Sequence, residues 1–443
     1  MQKILIANRG EIALRIMRTC HKLGIETIAV YSDADQQLPY VHYATKAVRI
    51  GEPPVNKSYL NAERIIEIAK EEEADGIHPG YGFLSENAEF ARAVNREGLI
   101  FIGPDPETIE LMGDKIQSRS AMEKAGIPIV PGSDQVSSLE DACFVATDIG
   151  YPVMLKASGG GGGIGMVKCE NEQALVKSFQ TVKTRAKAYF GSETIFLEKY
   201  IENARHIEIQ VFGDEAGNLV HLFERDCSIQ RRNQKVIEEA PACSLSADVK
   251  KRMYEAALKA AAAVQYKNAG TIEFIVDEND HFYFLEMNTR LQVEHPITEQ
   301  ITGLDLVEWQ LLAASGKKLP LQQSDIFAEG HSIEFRLYAE DPITFLPSPG
   351  KIEELDWPDF EGVRVDYGYV SQSAVTPFYD PMIAKCIISG VSRKQVIERA
   401  IRFFDQLKIT GIKTNASLFA HILREKDYQN GSYSTAYLNT IKM

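Results

Sequence analysis

The stretch Glu286-Met287-Asn288-Thr289-Arg290-Leu291-Gln292-Val293-Glu294 concentrates chemically usable side chains and closes an alternating run that begins at Phe282. Side chains alternate along an extended chain, so Phe282, Phe284, Glu286 and Asn288 are expected on one face. Arg290, Gln292 and Glu294 continue the spacing, and that face passes from aromatic to acidic to mixed charge. A second run, residues 270–277, carries Glu273 among Ile272, Phe274, Ile275 and Val276. A short turn at Glu278-Asn279-Asp280 makes the two runs a hairpin that can bring Glu273 and Glu286 together. Two carboxylates and an amide oxygen are hard ligands, suited to magnesium that still carries phosphate and water. The other reading is a solvated face of a half-exposed sheet. The metal reading is preferred because both glutamates interrupt apolar runs, where a carboxylate needs a partner or a metal.

Three more stretches could do chemistry. Ser158 and the glycines that follow it, through Ile164-Gly165, lie between two apolar runs, 153–157 with Lys156 and 166–169. Met166 stands where a Walker A loop needs Lys. Gly160, Gly162 and Gly165 match G-x-G-x-x-G by spacing alone, and no dinucleotide-fold helix follows. A strand–loop–strand hairpin suits a flap covering phosphates with its N–H groups. A flexible linker is the alternative. Residues 226–235 read as a cationic, amide-rich loop suited to small anions. In residues 78–87, glycines permit close backbone approach and Tyr81 and Phe83 can flank a ring. On the residues alone, a structural turn is the better reading there.

The elements that must position these groups begin as alternating strands and helices. Strands are expected at 3–7, 27–31, 76–78 and 99–102, and helices at 11–23, 59–73 and 85–97. Ile12, Ile16 and Leu23 form the apolar side of the first helix. Such alternation gives an α/β fold with an open parallel sheet, binding ligands beyond the carboxyl ends of its strands. Asp105 and Asp114 start two short helices, and 127–132 reads as a linker. A helix near 173–187 and strands at 194–200, 205–212 and 219–225 follow. In 205–212, His206, Glu208 and Gln210 make one polar side opposite a core side of Ile207, Ile209 and Val211. A helix over 246–264 presents an alanine face to a sheet. Helices are expected at 305–315, 393–406 and 414–424, and strands at 332–338 (with Glu334 and Arg336), 351–355, 363–365 and 383–389.

The length of 443 residues fits about three domains. A net charge of −14 argues against a nucleic-acid partner. Six scattered cysteines without a Cys-x-x-Cys pair argue against a zinc ribbon or a disulfide framework and for a reducing cytoplasmic setting. The N-terminus has no secretory apolar region, and no apolar stretch is long enough to span a bilayer.

Ile6-Ala7-Asn8-Arg9-Gly10-Glu11-Ile12-Ala13, residues 78–87, 156–163, 224–235 and 286–295, and Gly411-Ile412-Lys413-Thr414-Asn415 together resemble the biotin carboxylases of the ATP-grasp superfamily, over nearly the whole chain. The resemblance implies an N-terminal α/β domain at 1–113, an α+β ATP-grasp domain at 114–330 with a glycine-rich lid at about 131–203, and a C-terminal α/β domain at 331–443. It implies ATP contacts from Lys115, Lys156, Glu198, Lys199, Ile201, His206 and Gln230, with Gly161, Gly162 and Gly163 covering the phosphates. Glu273, Glu286 and Asn288 would hold magnesium or manganese, two ions in all. Lys235, Arg290, Gln292 and the Val293 backbone would hold bicarbonate, with Glu294 as its general base. Arg336 would stabilise the biotin enolate, with Tyr81 and Gln292 near the biotin ring. The implied reaction makes carboxyphosphate, which releases carbon dioxide beside biotin.

The chain has no Ala-Met-Lys-Met biotin attachment sequence, so biotin is expected on a separate biotin carboxyl carrier protein, with carboxyltransferase subunits as further partners. Acetyl-CoA carboxylase is the expected setting; other acyl-CoA, pyruvate and urea systems use similar subunits. A homodimer with Arg18 and Arg364 at its contact is also implied. Four positions depart from the family's common pattern: Ile164 and Val167 where basic residues are common, and Asn233 and Asn430 where His is common. Two other classes compete: an ATP-grasp ligase for another carboxylate, and a nucleotide-binding subunit without catalysis. Intact Lys235, Arg290, Glu294 and Arg336 weigh against both.

Overall fold

A computed structural model describes residues 1–158 and 165–441. The N-terminal third forms a five-stranded parallel sheet in the order Lys46–Gly51, Glu26–Ser32, Lys3–Ile6, Gly76–His78, Ile100–Phe101. The helix Gly10–Lys22 follows its central strand. Leu23 does not join that helix's apolar side: it caps the C-terminus and is 39% exposed. Burial runs almost all round the helix instead, because Arg15 is neutralised by Glu299 at 2.6 Å and Asp305 at 2.9 Å.

The centre is an eight-stranded antiparallel sheet in the order Phe282–Asn288, Asn268–Val276, Arg205–Gly213, Leu219–Arg231, Gln234–Ala240, His331–Tyr338, Met382–Gly390, Val363–Tyr367. It is continuous across residue 330, where Glu238 pairs in register with Glu334. The helix Ala247–Ala263 starts at Ser246, whose side chain accepts from Val249 N, and buries Ala256, Ala257, Ala260 and Ala261 in a core shared with Ile207, Ile209 and Ile272. A separate four-stranded sheet, Gly132–Gln135, Ile195–Lys199, Val153–Ala157, Met166–Cys169, packs against helices Leu139–Ile149 and Glu172–Phe190. The fold class is α/β, with a parallel N-terminal sheet and antiparallel sheets beyond it.

Several expected elements differ. Residues 226–235 are not a loop: one strand runs to Arg231, and the next starts at Gln234. Arg232 (φ 49°) and Asn233 (φ 65°) form the two-residue left-handed turn between them. The polar side of Arg205–Gly213 is buried, with Glu208 and Gln210 at 0% exposure, because Arg225 of the neighbouring strand and Lys235 of the next one cover it. The stretch 127–132 is packed rather than loose: Ile127 and Val130 are buried and Phe284 N donates to Pro128 O at 2.7 Å. Residues 351–355 split into Gly350–Lys351 and Glu354–Asp356, which join different two-stranded sheets.

Glu239 ties the C-terminal turn to the central sheet. It accepts from Arg393 Nε at 3.0 Å and Tyr433 Oη at 2.8 Å, while Arg393 also donates to the carbonyls of Tyr428 and Gln429. Burial pushes this carboxyl up, but His331 and Arg393 outweigh it and hold it at about 2, against an ordinary 4.5. A lowered folded-state value stabilises fully above the unfolded value and is lost as pH falls through the folded one. Wild type is therefore expected to exceed Glu239→Gln by about 3 kcal/mol at neutral pH, with the margin shrinking steadily below pH ~4 in urea titrations. A margin independent of pH between 7 and about 3 would sink this account.

Candidate active site

The three parts of the chain meet around a cleft of about 590 Å³. Tyr81 comes from the loop after strand Gly76–His78. That loop is braced by Asn8, whose Nδ2 donates to the carbonyls of Pro79 at 2.7 Å and Tyr81 at 2.8 Å. Gly80 sits at φ +64° against Asn8, where a Cβ would meet Nδ2 at 2.9 Å, so only glycine fits without a shift.

Glu273 and Glu286 face each other across the hairpin. The ladder slips by one residue there: Glu273 pairs with Glu286, yet Phe274 pairs with Phe284. Leu285 is therefore a bulge residue, and Phe282 and Phe284 do not share a face with Glu286 and Asn288 as expected. The phenylalanines enter the core with Phe274, whereas Leu285, Glu286 and Asn288 line the cleft. Leu285 joins Val130, Met154, Met166, Ile201 and Ile275 in an apolar wall that suits a flat ring. Sequence reasoning missed most of this wall, since nothing in an apolar residue's type marks it as cleft-lining.

The alternation also ends early. The strand stops at Asn288, and Glu294 is the N-cap of helix His295–Thr302. Within this irregular stretch Arg290 holds the shape: it donates to Asn288 Oδ1 at 2.6 Å, Gln292 Oε1 at 2.6 Å and Glu86 Oε2 at 2.8 Å.

Charges interlock at the floor. The Lys235 ammonium donates to Glu208 at 2.5 Å and to Glu273 and Glu294 at 2.7 Å each. Arg336 donates to Glu238 at 2.6 Å and to the other Glu294 oxygen at 3.0 Å. Glu294 is wholly buried and meets the cleft through these two cations. Burial pushes its carboxyl up, but Lys235 and Arg336 prevail and hold it well below the usual range. Glu273 is also held low against burial, by Lys235 and by His206, whose Nε2 lies 2.9 Å away. Glu286 is lowered by its contact with Lys115. Glu238, by contrast, is pushed up to about 7 by burial, only partly offset by Arg336. Beneath them Arg225, fully buried, spans Glu208 at 2.5 Å, Gln210 at 2.8 Å and Thr298 at 2.9 Å.

Of the other expected residues, Lys156 pairs with Glu198 on the cleft wall, and Gln230 meets His206 at 2.7 Å. Lys199 is turned away, donating to the carbonyls of Gly150 at 2.8 Å and Tyr151 at 3.0 Å. Gly161, Gly162, Gly163 and Ile164 lie outside the described residues. The flanking runs 153–157 and 166–169 do pair as an antiparallel hairpin. Asn233 lines the cleft. Sequence reasoning assigned no site role to Glu86, Arg225, Glu238 or Lys385. The one available signal was a charged residue inside an apolar strand, as Lys385 is within Ile383-Ala384-Lys385-Cys386-Ile387.

Comparison with known proteins fits this geometry. Residues 114–322 match the model of the carbamoyl-phosphate synthase L chain ATP-binding domain, which places the centre in the ATP-grasp class. Residues 1–109 match the biotin carboxylase N-terminal domain, and 334–440 the biotin carboxylase C-terminal domain. Biotin carboxylase 2 of Bacillus subtilis is 55% identical over 437 residues, covering 98% of each chain. A pyruvate carboxylase subunit of Methanothermobacter thermautotrophicus is 48% identical, over 99% of this chain and 89% of that one. A crystal structure of the biotin carboxylase domain dimer of Hydrogenobacter thermophilus 2-oxoglutarate carboxylase, with MgADP, ADP and bicarbonate, superposes with a TM-score of 0.97 at 47% identity, covering 99% of this chain and 97% of that one. The chain belongs to the biotin carboxylase family, and it is an enzyme of that ATP-grasp class.

Proposed function

We propose that this enzyme uses ATP and bicarbonate to carboxylate biotin borne on a separate carrier protein, as the first half-reaction of acetyl-CoA carboxylase. The observation that carries the reading is the convergence of Lys235, Arg290, Val293, Glu294 and Arg336 beside an apolar ring slot. Bicarbonate is a weak nucleophile and ATP a second anion, so fixed cations must offset their repulsion and a carboxylate must take the proton in place. In this reading Lys235, Arg290, Gln292 and the Val293 backbone seat bicarbonate. Glu294 removes its proton, and a bicarbonate oxygen attacks the γ-phosphorus while the bond to ADP breaks. The carboxyphosphate formed splits into carbon dioxide and phosphate, and the phosphate takes the ureido proton of biotin. Arg336 stabilises the enolate, whose nitrogen attacks carbon dioxide, with Tyr81 and Gln292 beside the ring.

Lys115, Lys156, Glu198, Ile201, His206 and Gln230 would hold the nucleotide, and Gly161, Gly162 and Gly163 would cover its phosphates. Glu273, Glu286 and Asn288 would hold magnesium or manganese; two carboxyls kept ionised beside an amide oxygen are a hard donor set that fits. The metal would offset charge on the phosphates. The three-domain division at 113 and 330, with one sheet shared across residue 330, cytoplasmic residence and a homodimer belong to the same proposal. The dimeric relative supports the last; the implied contact residues Arg18 and Arg364 line one surface pocket, where Arg364 meets Glu299 at 2.8 Å and Arg18 lies 3.5 Å from Asp366. A pyruvate or 2-oxoglutarate carboxylase component is the second reading, favoured by the relatives of those names.

The test is ATP hydrolysis with magnesium and free biotin, with and without bicarbonate. Hydrolysis that needs bicarbonate and rises with biotin supports the proposal; indifference to bicarbonate points to another ATP-grasp ligase. The two neighbouring lysines should also separate. Lys156→Met is expected to weaken ATP binding about tenfold or more by losing a charge-assisted contact. Lys199→Met should stay within about threefold, because its ammonium serves backbone carbonyls. Equal losses in calorimetric titration would contradict the placement of Lys199.

A further inference from the structure

Lys385 is 0% exposed in the middle of the apolar strand Met382–Gly390 and has no part in the roles proposed above. A buried ammonium is unfavourable unless charges and hydrogen bonds compensate it. Its partners are specific. Lys385 Nζ donates to the carbonyl of Val293 at 2.9 Å and pairs with Glu11 Oε2 at 3.1 Å. Glu11 lies in the first turn of helix Gly10–Lys22, and its other oxygen accepts from the hydroxyl of Tyr81. The Tyr81 ring centre is 5.8 Å from the ammonium. One connected path therefore runs from Val293 through Lys385 and Glu11 to Tyr81, joining a strand, a helix and two loops from all three parts of the chain.

Register locks the path at its root. Lys385 pairs with Arg336 on one neighbouring strand and with Asp366 on the other. The carbonyl it grips belongs to the peptide that joins Val293 to Glu294, where the irregular stretch after Asn288 turns into helix His295–Thr302. Among the described residues, no strand ladder orients that irregular peptide. The Lys385 ammonium touches that carbonyl directly and reaches the hydroxyl of Tyr81 only through Glu11.

We propose that Lys385 is a positioning residue for carboxylation: by holding the Val293 carbonyl it fixes the turn that presents the Val293 backbone N–H to bicarbonate and, through Glu11, it sets Tyr81 against the biotin ring. The inference rests on the reading of residues 290–294 as the bicarbonate subsite.

The experiment measures ATP hydrolysis while bicarbonate, free biotin and ATP are varied in turn, for wild type, Lys385→Met and the double variant Glu11→Gln/Lys385→Met, with thermal unfolding of each. The double variant removes opposite charges together, so it spares the fold if the single variant leaves Glu11 unbalanced. The KM for bicarbonate is expected to rise about tenfold or more, and that for biotin to rise with it, since small misplacements at a reacting centre are expensive. The KM for ATP should stay within about twofold, a split that general loosening would not produce. Folded variants with an unchanged bicarbonate KM, or with all three KM values raised together, overturn the proposal. So does failure of both variants to fold, which would make Lys385 a folding residue. Wild-type hydrolysis indifferent to bicarbonate would remove the subsite reading and this inference together. A bicarbonate-dependent wild type with unaffected variants removes only the inference.

Discussion

Glu294→Gln is expected to lower bicarbonate-dependent ATP hydrolysis about a thousandfold while leaving ATP affinity within about threefold. The substitution keeps the shape and one acceptor oxygen but cannot take a proton. Its neighbours limit collateral damage: Lys235 keeps Glu208 and Glu273, and Arg336 keeps Glu238. The same neighbours fix the pH behaviour. Because Lys235 and Arg336 hold the Glu294 carboxyl well below the ordinary range despite burial, it is ionised throughout the neutral region. A depressed value means the ionised base is lost only as pH falls below the ordinary carboxylate range. An acid limb near neutrality must then come from another group, and Glu238, raised to about 7, is placed to supply it through Arg336. Steady-state rates at saturating bicarbonate, beside calorimetric ATP titration, check the prediction. A variant retaining a tenth or more of the wild-type rate would remove Glu294 from the role of base.

Arg225→Met should be the most damaging substitution for the fold, destabilising the protein by about 3–5 kcal/mol. Arg225 is entirely enclosed and reaches Glu208, Gln210, Thr298 and Thr271 at 2.5–3.1 Å. Removing it leaves Glu208 buried with Lys235 as its remaining cation partner among the described residues, and the acceptors around it unfilled. Most of the loss comes from that stranded charge, so the double variant Arg225→Met/Glu208→Gln should recover more than half of it. Urea unfolding followed by tryptophan fluorescence is the measurement, since Trp309 packs edge-on against Phe212 of the same sheet at 5.5 Å. A double variant as unstable as the single one would mean that packing, not charge, is what Arg225 supplies.

Helices were legible where caps and periodicity agree locally, as at Ser246, Asp305 and Ser392, each accepting from a backbone N–H in its first turn. The meeting of Glu273 with Glu286 was legible for the same reason, because a hairpin is local. The bulge at Leu285 was not, since period-two reasoning has no place for an inserted residue, and one insertion reversed the faces of Phe282 and Phe284. Residues 226–235 read as a loop because polar residues in a row suggest solvent. They are strand because their charged side chains find buried partners far along the chain: Lys235 meets Glu273 and Glu294, and Arg231 pairs with Glu340. Lys385 is a charged residue in an apolar strand that sequence reasoning passed over; its partners, Val293 and Glu11, lie 92 and 374 positions away in the chain. Charge matching between distant strands carries no local signature.

The unbroken eight-stranded sheet has a consequence for how such chains can be cut or recombined. A break at residue 330 would not release two finished pieces. It would bare the paired flanks of Gln234–Ala240 and His331–Tyr338, and unpaired strand edges are templates for aggregation. It would also strip Arg336 from Glu238 and Glu294, and Glu334 from its cross-strand neighbour. Exchange of C-terminal segments between relatives therefore succeeds only where both sides of that seam keep register and charge. The seam makes the middle and last thirds of the chain one inherited unit, even though their sequences match separate family models.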